Sequence, residues 1–226
     1  MDVLPQASLF LGVIPALMIL YIGLKGYDGY YKDKYVFLSF VAGIIFGFIA
    51  AFVQSLTLPL AIIYIVLLSF FDQLFKTIIL NMPRLHGNIG TPIYGMTLGL
   101  GFGSSFTPFM IIATSAILTS NSYVLILTAV GSLGVILFHG ATGAYIGLGI
   151  FYGRLFKHLI IAILLQLPFN FLIGMMVTYS NPELIRLQII FVIGMILYGC
   201  IVYYYITKKL LPVILEKGER RKRSKR

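Results

Sequence analysis

The residues able to do chemistry are few, and they sit in an apolar setting. Asp72 and Lys76 lie four positions apart in Phe71-Asp72-Gln73-Leu74-Phe75-Lys76, inside the apolar run from Leu58 to Met82. On a helix this spacing puts both side chains on one face, about one turn apart. A carboxylate and an ammonium at membrane depth are costly unless they pair or face a wet cavity. The two therefore mark either a site or a self-neutralising ion pair with Lys76 snorkelling to the interface. His139 stands in Leu137-Phe138-His139-Gly140, and Gln166 and Asn170 in Gln166-Leu167-Pro168-Phe169-Asn170. A carboxylate and an imidazole can activate water by taking its proton, whereas an amide can only donate or accept hydrogen bonds. His86 falls in a loop and His158 at a helix boundary, where interfacial roles are expected.

The composition says what must position these groups. The chain has 226 residues, 59% of them hydrophobic and 11% charged, with a mean hydropathy of +0.98. A soluble domain carries about 25% charged residues, so an integral membrane protein is predicted. Near-continuous apolar runs of about 20 residues favour helices over the alternating strands of a barrel. The predicted fold is an all-α, polytopic helical bundle, multi-pass in the cell membrane. Spans are drawn at Ala7–Leu24, Tyr35–Val53, Leu58–Leu80, Pro92–Leu118, Tyr123–Phe151, Leu159–Val177 and Leu187–Thr207, separated by Gly, Asn, Ser and Pro turn signals. Met1-Asp2 lacks the basic start of a signal peptide, and the first run is long enough to span, so no cleaved signal is expected. The lone Cys200 excludes an internal disulfide and a thiolate metal cluster.

With the N-terminus outside, the inner side receives sixteen of the seventeen Lys and Arg residues, and only Arg186 falls outside. This bias favours seven spans and a cytoplasmic C-terminus. The chain then divides into a transmembrane domain, 1–207, and a basic cytoplasmic tail, 208–226, which holds nine of the basic residues. Beside a membrane such a tail sets topology and attracts anionic lipid, so the net charge of +10 does not imply nucleic acid.

Helical rise gives the depth of each polar group. Asp72 lies about 20 Å along a span entering from outside, and His139 about 24 Å along another. Gln166 lies about 10 Å and Asn170 about 16 Å along a span entering from inside. Against a hydrocarbon core of about 30 Å, Asp72, His139 and Gln166 fall in one inner layer. Interhelical hydrogen bonding accounts for such a layer as readily as a site does. A metal at His139 would be short of protein ligands, and no cofactor is expected. Glycines recur four apart at Gly43 and Gly47, at Gly95, Gly99 and Gly103, and at Gly143 and Gly147, the spacing of close helix packing. The fourth span is too glycine-rich for packing alone, so a close backbone approach or a bend is predicted there.

In order and placement these motifs resemble the PrsW-type intramembrane proteases, relatives of the CAAX prenyl endopeptidases and of the Aph subunit of γ-secretase. The Glu-Glu-x-x-Lys motif of that family is matched by Asp72-Gln73-Leu74-Phe75-Lys76. Its Tyr-Gly and Gly-Leu-Gly-Phe-Ala-x-x-Glu-Asn segments are matched by Tyr94-Gly95 and by Gly99 to Thr107. Its third-motif histidine is matched by His139, and its His-x-x-x-Asn by Gln166 to Asn170. The resemblance covers about 69–174 and implies peptide hydrolysis by a glutamate base, with histidines stabilising the oxyanion or, in an older view, binding metal. The departures weaken that implication: Asp72 is shorter by a methylene, Gln73 and Gln166 replace a glutamate and a histidine, and Phe106 replaces the second-motif glutamate.

Three functions follow as expectations. The first is a catalytically degenerate family member that binds or scaffolds a membrane-protein partner, with the glycine faces of the fourth and fifth spans as docking surfaces. The second is an active endopeptidase that cleaves a transmembrane peptide with Asp72 and His139, with Gln73, Lys76, Gln166 and Asn170 completing a polar cavity. The third, ranked last because no inverted repeat relates the halves, is a small-solute or proton-linked carrier.

Overall fold

A computed structural model describes residues 3–57, 62–106, 108–109, 122–178 and 184–216. The described residues are all-α, without a strand among them. The α-helices are α1 (Val3–Leu24), α2 (Asp33–Thr57), α3 (Ile62–Leu80), α4 (Thr91–Ser104), α5 (Ser122–Phe151), α6 (Leu155–Thr178) and α7 (Ile185–Tyr204). A π-helical turn, Tyr205–Leu210, extends α7. Four segments among them are long and apolar enough to cross a membrane: Asp33–Gln54, Ile126–Phe151, Leu155–Met176 and Ile185–Glu216. Large apolar side chains such as Phe37, Ile78, Phe156 and Ile201 stand exposed on the outside. That surface suits lipid, because hydrocarbon does not drive apolar side chains inward.

At the centre is α4, whose every residue from Thr91 to Ser104 is buried. Its glycines allow this. A side chain at Gly95 would collide with the Gly143 backbone of α5, one at Gly99 with the His139 carbonyl, and one at Gly103 with Ile136. On another face Gly101 meets the Phe40 backbone of α2, while Gly43 and Gly47 of α2 meet Leu98, Phe102 and Ser105. Helix backbones can lie this close only where no Cβ intervenes. The close approach expected of the fourth span is therefore an approach by α5 and α2. The glycine faces of α4 and α5 are covered within the chain, and Gly147 packs on Thr91 and Pro92. They are not the partner-docking surfaces expected from the sequence. The other central helix is α5, with 83% of its apolar window buried, against 28–33% in the other three long segments.

The contacts also fix helix directions. Gly95, Gly99 and Gly103 meet residues of decreasing number on α5, so α4 and α5 are antiparallel. Gly134 and Gly140 of α5 meet Met195 and Tyr203 of α7, a parallel pair. Leu80 at the end of α3 lies beside Gly95 near the start of α4, and Tyr35 near the start of α2 packs edge-on against Tyr94 at 5.6 Å. One end of the bundle therefore gathers Lys32, Lys34, Arg84, Arg154, Lys157, Lys208 and Lys209, and Arg186 lies at the other.

Two boundaries differ from the sequence expectation. Within the predicted span Pro92–Leu118, α4 is interrupted at Ser105, and Phe106, Pro108 and Phe109 are helical again, with the Phe109 N–H donating to the Ser105 carbonyl at 3.1 Å. There Ser104 Oγ and Ser105 Oγ donate to the carbonyls of Gly101 and Phe102 at 2.7 and 2.8 Å, back-bonding that can bend a helix. The remainder of that span, 110–118, and the turn signals at 119–121 and 180–182 lie outside the described residues. The helical body also runs past 207 to Glu216, with Leu211 and Ile214 fully buried and Lys208 and Lys209 exposed. Between α5 and α6 the chain reverses at Gly153, whose φ of 68° is a left-handed conformation that glycine adopts without strain.

Two glycines on α5 and α4 should respond oppositely to alanine. At Gly99 the added methyl meets backbone, and unfolding in bicelles should show a loss of about 1–3 kcal/mol or more. At Gly131 the nearest atoms are 3.7 Å away, so alanine should be neutral or should stabilise by up to about 1 kcal/mol through helix propensity.

Candidate functional site

One face of α3 turns inward with Ser69, Asp72, Gln73, Lys76, Thr77 and Leu80, all buried, while Phe70 and Ile78 face outward. This is the i, i+3, i+4, i+7 pattern of a helical stripe, here carrying polar groups toward the bundle interior. His139 and Thr142 come from α5, one turn apart, and Gln166 and Asn170 from α6. Pro168 between the last two cannot donate to the carbonyl one turn back, which loosens α6 at this level. The neighbouring Leu165 carbonyl there accepts a hydrogen bond from Tyr198 Oη of α7 at 3.0 Å.

The structure brings Asp72, Gln73, Lys76, His139, Gln166 and Asn170 into one hydrogen-bonded cluster. Lys76 Nζ donates to Gln73 Oε1 at 3.3 Å, Gln73 Nε2 donates to Gln166 Oε1 at 2.5 Å, and Gln166 Nε2 donates to Asp72 Oδ2 at 3.2 Å. Every donor in this series points from the cation toward the anion. The second Gln166 hydrogen goes to Asn170 Oδ1 at 2.8 Å, and Asn170 Nδ2 donates to Ser69 Oγ at 3.1 Å. Ser69 Oγ in turn donates to the Ile65 carbonyl at 2.6 Å. Because an ammonium can only donate and a carboxylate can only accept, both ends of the chain dictate how the two amides between them are turned.

The spacing of Asp72 and Lys76 left open a site or a self-neutralising ion pair with Lys76 snorkelling to the interface. That pair does not form. Lys76 is wholly buried, and its three N–H donors go to Gln73, to His139 Nδ1 at 2.8 Å and to Thr142 Oγ1 at 2.8 Å. Its ammonium also sits over the Phe102 ring, 5.1 Å from the centroid, where the ring face attracts a cation. The long lysine chain reaches across to α5, whereas the short aspartate stays beside α6, so two amides come to stand between the charges.

This arrangement settles what each candidate can do. With Nδ1 accepting from the ammonium, His139 carries its proton on Nε2, a donor position. Asp72 is then the cluster's base-type group, and His139 can orient water or an oxyanion but cannot take a proton at Nδ1. Asp72, His139, Asn170 and Phe106 line a cavity of about 10 Å³, walled on the α2 side by Gly47, Ala50, Ala51 and Gln54. That volume is room for about one water. Asp72 and His139 thus face a common space without bonding one another. Among the described residues no three His, Cys, Asp or Glu side chains converge, and a cation bonds His139 directly, so the donor set does not suit a metal at His139.

Sequence reasoning missed Ser69, Thr142, Phe102 and the α2 wall. Ser69 and Thr142 lie three residues from Asp72 and His139 on the same helix faces, a usable signal. On α2 the polar Gln54, in an otherwise apolar stretch, was a usable signal. His86 and His158 lie away from it, bonded to Asn81 Oδ1 and to the Arg154 carbonyl, each at 2.9 Å.

Removing one end of the donor series should cost more than removing both. Lys76→Met, leaving a buried carboxylate without its counter-charge, should lower unfolding free energy in bicelles by about 3–5 kcal/mol. Adding Asp72→Asn should restore part of that loss, a coupling a double-mutant cycle reads directly. No protein-family model, curated protein or solved structure matches the chain, which leaves this chemistry as the ground for a functional reading.

Proposed function

We propose that this chain is a PrsW-like membrane protein whose polar centre has become structural, and that it acts as a binding or scaffold component in the membrane. The observation that carries the reading is the direct Gln73–Gln166 bond inside the donor series. These are two of the positions at which the resemblance implies a glutamate and a histidine. Two amides preserve a hydrogen bond there but supply neither a base nor an acid. Phe106, at a third such position, lines the small cavity with an apolar ring. The space beside Asp72 admits a water but no peptide segment. The seven-span topology with a cytoplasmic C-terminus belongs to the same proposal, supported by the gathering of loop lysines and arginines at one end of the bundle.

One observation favours a second reading, an endopeptidase. Asp72 and the Nε2–H of His139 face a single water-sized space, as a base and a donor would around a nucleophilic water. In that case the bundle must open between α2 and α6 to admit a substrate helix.

Purified protein in liposomes, incubated with a transmembrane reporter peptide, separates the two. The scaffold reading expects cleavage no greater than in empty liposomes, and no difference between wild type, Asp72→Asn and His139→Ala. Cleavage by wild type that both substitutions abolish, with the folded protein retained, would establish the second reading instead.

A further inference from the structure

At the basic end of the bundle, a cleft of about 410 Å³ opens between α2, the end of α3 and the α3–α4 loop. Its size is that of a small-molecule site. Its lining is divided by depth. Lys32 and Arg84 stand at the loop end, and Leu38, Ala42, Ile79 and Leu80 form the wall beyond. Ala42 lies ten positions beyond Lys32, so the apolar wall runs about 15 Å from the charged mouth. Among the described residues no acidic side chain lines the cleft. Leu38 and Met82 on its rim are 49% and 54% exposed, which leaves it open sideways, toward the acyl-chain region of a bilayer.

We infer that this cleft is a binding site for an anionic phospholipid, with the headgroup phosphate between Lys32 and Arg84 and an acyl chain along α2 and α3. A soluble anion would use the mouth but leave the apolar wall bare. A neutral lipid would use the wall but leave two cations without a partner. The mouth is also positioned by the fold. The Lys32 backbone N–H donates to Tyr94 Oη at 2.9 Å, tying the start of α2 to the buried helix α4, and Tyr94 lines the cleft floor. Arg84 is carried on a short 3₁₀ turn, Pro83–Leu85, whose residues are not buried. A second basic cleft at the α5–α6 turn, lined by Arg154 and Lys157, has no aliphatic wall. It serves as the internal comparison.

Native mass spectrometry of the full chain, titrated with phosphatidylglycerol or with phosphatidylcholine of the same acyl chains, tests the site. Each basic residue near anionic headgroups contributes enough for a severalfold effect, so Lys32→Ala/Arg84→Ala should weaken first-site phosphatidylglycerol binding roughly tenfold or more. Ala42→Trp, which fills the wall without touching charge, should weaken it comparably, while Arg154→Ala/Lys157→Ala should change it less than about twofold. Inorganic phosphate should not displace the lipid. The assignment is overturned if the first site survives either Lys32→Ala/Arg84→Ala or Ala42→Trp, if it is lost with Arg154 and Lys157, or if inorganic phosphate competes for it.

Discussion

A buried ammonium in an apolar bundle must have its charge balanced and its three N–H groups satisfied, and the interior around Lys76 is arranged to do both. The counter-charge is Asp72, one turn away on the same helix, but the two are joined through the side-chain amides of Gln73 and Gln166. Each amide accepts on the cation side and donates on the anion side, so its dipole lies along the field between the charges. In a low-dielectric interior such aligned bonds strengthen one another, and a half-satisfied series is worse than none. The demand extends to three helices. Lys76 needs α5 for His139 and Thr142, and Asp72 needs α6 for Gln166.

The glycine packing of α4 serves that requirement. Gly99 lets the His139 carbonyl of α5 lie against the α4 backbone, and Phe102, less than one turn further along α4, lies over both the His139 ring, at 4.9 Å, and the Lys76 ammonium. Close backbone approach therefore sets the depth and rotation at which the imidazole meets the lysine. The same approach leaves little free volume beside Asp72, about what one water fills. Packing that positions the polar groups so well leaves only this small space beside Asp72 among the described residues, an observation that supports the proposed scaffold reading over the peptidase.

Much of this was legible in the residues. Hydropathy marked the apolar helices, and helical rise placed Asp72, His139 and Gln166 in one layer because depth along a straight helix depends only on residue count. Which groups bond within the layer was not legible. The four-residue spacing suggested that Lys76 pairs with Asp72, but spacing along one helix says nothing of competing acceptors on others. His139 and Thr142 on α5 are such acceptors, and they take the ammonium. Likewise the glycine repeats announced close contact without saying with what, and the contact proved internal. The interruption of α4 at Ser105 was hidden because it falls inside a run that hydropathy reads as continuous.

The central claim is that the two buried charges are kept apart by an oriented amide series, with His139 accepting from Lys76. Magic-angle-spinning NMR of the isotopically labelled protein in lipid bilayers addresses it directly, through nitrogen–carbon correlations from Lys76 Nζ and the ¹⁵N shifts of the His139 ring. Contacts from Lys76 Nζ to the Gln73 and His139 side chains are expected, with an imidazole protonated at Nε2 alone. A direct Lys76–Asp72 contact in place of those, or a His139 proton on Nδ1, would contradict the claim.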